Sequence, residues 1–178
     1  FIEDRVKSET KTLISQLKDM GVTPILLTGD QEKTARYVAS QVGIERVIAN
    51  CLPTDKASII QELQKEFASV GMVGDGINDA PALAQANVSY AMGSGTDIAM
   101  ESADIVLMED LTRIPYSIRL SKKMRGIIKQ NIIFALSVIA VLIISNLFQS
   151  INLPLGVVGH EGSTILVILN GLRLLYFK

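Results

Sequence analysis

The distribution of charge constrains this chain more than any other feature. Charged residues run throughout residues 1–129, and after them Glu161 is the single charged residue before Arg173. A water-facing part is therefore joined to a part that avoids water. Residues 131–148 carry no charge and are dominated by Ile, Leu, Val, Ala and Phe, about the length needed to cross a hydrocarbon core of roughly 30 Å. A short uncharged connection with the turn-prone Asn152 and Pro154 occupies 149–154, and a second apolar stretch, 155–172, ends at Arg173 and Lys178. Lys122, Lys123, Arg125 and Lys129 precede the first run and no basic residue lies in the connection. The positive-inside rule then expects a transmembrane hairpin with both chain ends in the cytoplasm, and the basic stretch meeting anionic headgroups of the bilayer. A buried hairpin in a soluble protein is the alternative, but two adjacent runs of this length with a single charge between them are rare in such a core.

Composition removes other classes. A net charge of -1 over 178 residues gives no electrostatic footprint for nucleic acid. A single cysteine, Cys51, excludes an internal disulfide framework and a thiolate-rich metal cluster made by this chain alone. The first residue is Phe1, and no signal-peptide zones follow it, so the chain is expected to begin partway through a longer protein.

The charged part alternates helix-like and strand-like segments. Helices are expected at 3–20, 31–42, from Thr54 or Asp55 to 67, at 79–85 and at 96–102, with Gly21 and Gly43 stopping the first two. Strands are expected at 24–27, 46–49, 70–73, 88–92 and 105–108. This alternation predicts an α/β fold, a parallel sheet covered on both faces with its chemistry in loops at the carboxyl ends of the strands. The layout divides into a globular part at 1–115, a basic juxtamembrane helix at 116–130, and two transmembrane helices with a short tail at 131–178.

Three polar loops carry candidate chemistry. Asp75 and Asp79 flank Gly76-Ile77-Asn78 at the end of an apolar strand. Two carboxylates spaced this way can face one cation, and hard oxygen ligands suit magnesium. Asn78 offers an amide to phosphate oxygens, Gly74 and Gly76 allow close backbone approach and positive φ, and Pro81 can open a helix whose N-terminal amides favour an anion. An Asn/Asp-rich surface turn capping a helix would use the same residues. Thr28-Gly29-Asp30 could bind phosphate or simply turn the chain, and Lys56 could contact phosphate or be solvated. Their order is the argument: a hydroxyl loop, a lysine and a paired-carboxylate loop are the parts of a phosphoryl-transfer site.

Leu27-Thr28-Gly29-Asp30, Pro53-Thr54-Asp55-Lys56 and the run from Gly74 through Asp75, Gly76, Ile77, Asn78, Asp79, Ala80, Pro81 and Ala82 to Leu83 resemble the phosphorylation-domain signatures of P-type ATPases, members of the haloacid-dehalogenase-like superfamily. The resemblance implies that Asp75 binds the catalytic magnesium, that Asn78 and Asp79 organise the phosphate site, that Lys56 contacts the phosphoryl group and Thr28 its oxygens, and that Asp30 belongs to the loop meeting the actuator domain. The family's phosphorylated aspartate lies in an Asp-Lys-Thr-Gly-Thr motif, which this sequence lacks. The resemblance places that strand, the nucleotide-binding domain that holds most of the ATP, the actuator domain and earlier transmembrane helices before Phe1, and implies that this chain alone cannot hydrolyse ATP.

Within the second apolar stretch stand Gly159, His160, Glu161, Gly162, Ser163 and Thr164. An ionisable residue at membrane depth costs several kcal/mol unless paired, which marks it as functional. At about 100° per residue, His160, Glu161, Ser163 and Thr164 share one arc, with Asn170 near Ser163 two turns on. Imidazole and carboxylate suit divalent transition metals better than potassium or sodium. A membrane-surface loop or a pair that only joins helices would also use them. His-Glu-Gly-x-Thr in a last helix is similar to the signature of the zinc/cobalt/cadmium/iron-exporting subgroup of heavy-metal P-type ATPases. That likeness implies a transport site using His160, Glu161 and Thr164, with Ser163 beside them, completed by a motif on an absent helix. Copper is disfavoured. A plasma-membrane location with a cytoplasmic globular part and C-terminus follows from the same likeness. A membrane-tethered haloacid-dehalogenase-like phosphatase is the competing function; it would need no His160 or Glu161 inside an apolar span.

Overall fold

The computed structural model describes residues 8–108, 110–148 and 153–177. It divides into two compact units, one up to Pro115 and one from Tyr116 onward.

The first unit alternates as its sequence pattern requires: α1 (Ser8–Asp19), β1 (Ile25–Leu27), α2 (Glu32–Val42), β2 (Arg46–Ile48), α3 (Lys56–Glu66), β3 (Gly71–Gly74), α4 (Ala80–Gln85), β4 (Val88–Met92), α5 (Asp97–Glu101) and β5 (Ile105–Leu107). The expected start of the first helix before Ser8, including Val6, lies outside the described residues. Two helices end on glycine because the chain must pass through the left-handed region. Gly21 has φ 77°, and Gly43, at φ 81°, donates its N–H to the Ala39 carbonyl.

Every strand pairing is parallel, but the strands form two hydrogen-bonded groups, not one sheet: β1 with β2, and β3-β4-β5 in that order. The two groups nevertheless share a core. Ile60, Leu63, Met72, Ala82, Leu83 and Ala91 are buried together, with Ile25 and Leu27 of β1 and Ile48 of β2 packed against them. Asp104 ties β4 to the approach to β5. Its carboxylate accepts from the Ser89 N–H and hydroxyl, both at 2.9 Å, and its own N–H donates to Ser89 Oγ at 3.0 Å. These bonds hold the Asp104 carboxyl below its ordinary pKa.

The expected basic helix at 116–130 and the apolar run that follows it lie on one helix: α6 runs unbroken from Arg113 to Leu147, 35 residues. The change from basic to apolar composition marks a change of surroundings, and the helix continues through it, Gly126 included. Among the described residues α6 is the one helix long and apolar enough to cross a membrane. Its Ile132, Leu136, Val141 and Ile143 side chains are exposed, as a lipid-facing surface would be. α7 (Leu153–Leu172) covers the second apolar stretch in 20 residues. Most of the connection expected at 149–154 lies outside the described residues.

Candidate functional site: the Lys56–Asp79 loops and the polar residues of α7

The loops after β1, β2 and β3 all leave the carboxyl ends of parallel strands, where such folds place their chemistry. After β1, Thr28 folds onto its own loop. Its Oγ1 donates to Asp30 Oδ2 at 3.1 Å and accepts from the Asp30 N–H at 3.1 Å. This loop is stitched to the one after β2 by two backbone bonds, Asn50 N–H to the Asp30 carbonyl at 2.9 Å and Cys51 N–H to the Thr28 carbonyl at 3.1 Å. A Cβ on Gly29 would come within 3.2 Å of the Cys51 carbonyl oxygen, so glycine permits the stitch. Asn50 makes the turn in the left-handed region at φ 56°. The stitch aims the chain through Pro53 toward Lys56, the first residue of α3.

Lys56 Nζ reaches Asp79 Oδ1 at 2.6 Å, with the two side chains only 15% and 13% exposed. The pair joins the start of α3 to the end of the turn after β3. Asp79 in turn sits against Gly74, where a Cβ would lie 2.7 Å from the Asp79 Cβ. Asp75 is held through its backbone, its carbonyl accepting from the Thr96 N–H at 3.0 Å. Gly95 lies so close that an added Cβ would be 2.5 Å from that carbonyl. Asn78 lies in a single 3-10 turn, Ile77–Asp79, and is exposed.

The structure thus brings Lys56 and Asp79 together and leaves the exposed Asp75 carboxylate without a protein donor among the described residues. That division fits magnesium. A hard cation that keeps several waters and shares phosphate oxygens needs only one or two carboxylates; Asp75 is open to supply one, and Lys56 neutralises Asp79. Thr28 and Asp30 bond to each other, apart from this pair. The positive φ expected at Gly74 and Gly76 is not found. Gly76 is extended at φ −117°, and the glycines with positive φ are Gly21 and Gly43. Space against Asp79 is what Gly74 provides. Sequence reasoning missed Gly95, whose role depends on packing, and the Asn50–Cys51 stitch, which Asn before a turn could have signalled. Cys51 itself is buried, its thiol bonded to the Ile48 and Ala49 carbonyls, and burial pushes its pKa up.

On α7, His160, Glu161 and Thr164 are exposed, while Ser163 is half-buried. The Ser163 and Thr164 hydroxyls both donate to the His160 carbonyl, at 2.6 and 3.3 Å. Neither the His160 imidazole nor the Glu161 carboxylate has a protein partner among the described residues, and no cluster of three or more His, Cys, Asp or Glu forms there. α7 therefore presents an exposed imidazole and an exposed carboxylate on adjacent residues.

Residues 1–87 match the family model described as haloacid dehalogenase-like hydrolase. The chain is 53% identical over 175 residues to the zinc-transporting ATPase of Bacillus subtilis (strain 168), covering 98% of this chain and 28% of the relative. It is 42% identical over 180 residues to a probable cadmium-transporting ATPase of Listeria monocytogenes, covering 99% and 25%. The crystal structure of a zinc-transporting PIB-type ATPase in the E2.Pi state superposes with a TM-score of 0.91 at 38% identity, over 97% of this chain and 28% of that one. The chain thus spans about a quarter of the length of the relatives it matches. With a haloacid dehalogenase-like first half, a long apolar helix and nearly all of its own length aligned to these proteins, the chain belongs to the P-type ATPase family.

Proposed function

We propose that this chain supplies the magnesium-and-phosphate loops and part of the intramembrane ion site of an ATP-driven exporter of divalent heavy-metal ions, of the zinc, cobalt, cadmium or ferrous type. The observation that carries this reading is the unpartnered His160–Glu161 pair on an apolar helix, in the same chain as the Lys56–Asp79 pocket. A carboxylate and an imidazole in hydrocarbon need a cation or a partner, and a phosphatase would have use for neither.

In this reading Asp75 holds magnesium, Lys56 and Thr28 hold phosphoryl oxygens, and Asn78 and Asp79 order the turn that carries them. Bound magnesium neutralises charge on the phosphoryl group as it is transferred. The nucleophilic aspartate comes from a further strand. β1 and β3 pack on one core yet are not hydrogen-bonded to each other, which suits a parallel strand entering between them with its carboxyl end among the three loops. The actuator and nucleotide-binding domains, the latter carrying ATP, and earlier transmembrane helices complete the machine. α6 and α7 both cross the plasma membrane, with the globular unit and C-terminus cytoplasmic. His160, Glu161 and Thr164, with Ser163 beside them, form this chain's share of the transport site.

The experiment is ATP-dependent uptake of zinc into inverted membrane vesicles containing the complete pump. Wild type accumulates zinc and Asp75→Asn does not. Equal accumulation by both would refute the assignment of the Asp75 loop to energy coupling.

A further inference from the structure

The hydrogen bonds between α6 and α7 concentrate at one level. Asn170 Nδ2 donates to Asn131 Oδ1 at 2.8 Å and to Gln130 Oε1 at 3.4 Å. Asn131 Nδ2 donates to the Val167 carbonyl at 3.3 Å, and Arg173 Nη1 donates to Asn170 Oδ1 at 2.9 Å. By contrast, the hydroxyls of Ser137, Ser163 and Thr164 bond within their own helices, so these bonds say nothing about how the helices are aligned.

About three turns away the helices approach again. A Cβ on Gly159 would meet Leu142 Cδ2 at 3.4 Å. The step from Asn131 to Leu142 equals the step from Gly159 to Asn170, so both contacts belong to one antiparallel register. Between them the seam is poor in features that could hold that register. Gly156, Gly159 and Gly162 give α7 a smooth half-buried edge, and Ala135, Val138 and Leu142 face it from the half-buried edge of α6. In lipid, apolar side chains gain little by choosing one partner helix over hydrocarbon, whereas a polar pair has one setting in which both groups are satisfied. A single polar pair can fix register in an otherwise apolar helix seam.

We propose that Asn131 and Asn170 form the register lock of this hairpin and thereby position the His160–Glu161 pair. His160 follows Gly159 directly, so the lock turns His160 and Glu161 away from α6 while Ser163 stays at the seam edge. A slip of α7 by one turn would carry both ligands about 5 Å along the membrane normal. Asn131 and Asn170 act through the helix and touch no ion. This second part of the proposal rests on the reading of α7 as the metal-bearing helix; the lock itself does not.

The test has two arms. The first uses the chain in lipid vesicles, in a Cys51→Ala background, with Leu142→Cys paired in turn with Gly156→Cys, Gly159→Cys or Gly162→Cys. With both asparagines present, oxidation couples Leu142→Cys to Gly159→Cys in strong preference to the others. Asn170→Leu spreads coupling to the pairs one turn away, and Asn131→Ala does so from the α6 side. An unchanged preference in both variants overturns the lock. The second arm measures zinc stimulation of ATP hydrolysis by the complete pump. Asn170→Leu raises the zinc concentration for half-maximal stimulation about tenfold, as loss of a ligand-orienting contact does, and leaves the maximal rate near that of wild type. A spread coupling pattern with an unchanged zinc requirement overturns the positioning role. A wild-type pump with no zinc response would refute the transport reading, and the coupling arm would still decide the lock.

Discussion

Lys56 and Asp79 meet at 2.6 Å across 23 residues of sequence, both nearly enclosed. This contact joins two loops that are separate in the chain, and the Asp75 carboxylate after β3 stays exposed. An ion pair so shielded resists screening, and removing one member strands the other charge.

The pair should therefore show coupling. Lys56→Met lowers the stability of the globular unit by about 2 kcal/mol, because the Asp79 carboxylate loses its partner. The double variant Lys56→Met/Asp79→Asn regains roughly half of that. Thermal unfolding of the detergent-solubilised chain reads both. Additive losses would show that the contact carries no energy.

Two glycines two residues apart should differ in tolerance. Gly74→Ala forces a methyl group to 2.7 Å from the Asp79 Cβ, whereas at Gly76 the nearest atom is 3.9 Å away and φ is an ordinary −117°. Gly74→Ala costs about 1–3 kcal/mol, the range for overpacking, and Gly76→Ala costs a few tenths at most. Melting temperatures of the two variants check this. Equal losses would mean that Gly76 has a role other than space.

Asp104 gives a pH signature outside the membrane. Its carboxyl is held below the ordinary value by the Ser89 N–H and hydroxyl. A lowered folded-state pKa contributes stability that is present above the unfolded value near ~3.9 and is lost as pH falls through the folded one. Asp104→Asn should therefore melt below wild type at neutral pH, and the gap should close in acid. A gap that persists at the lowest accessible pH would contradict the assignment.

Local grammar made much of this fold readable. Apolar runs ending in Thr28-Gly29-Asp30 and in Gly74-Asp75-Gly76 located the loops, and Gly43 marked a helix end that the left-handed cap confirms. Partnerships set by tertiary packing were not readable. Nothing near Lys56 announces Asp79, and Gly74 looks like a conformational glycine until its neighbour is seen. Periodicity placed Asn170 near Ser163, but only the α6 contacts show that Asn170 meets Asn131 of the neighbouring helix.

The most direct measurement is metal-dependent ATP hydrolysis by the complete pump, comparing wild type with His160→Ala and Glu161→Ala at matched expression. The account predicts that each variant needs at least about tenfold more zinc for stimulation or loses it altogether. Undiminished zinc stimulation in both variants would contradict a transport site on α7.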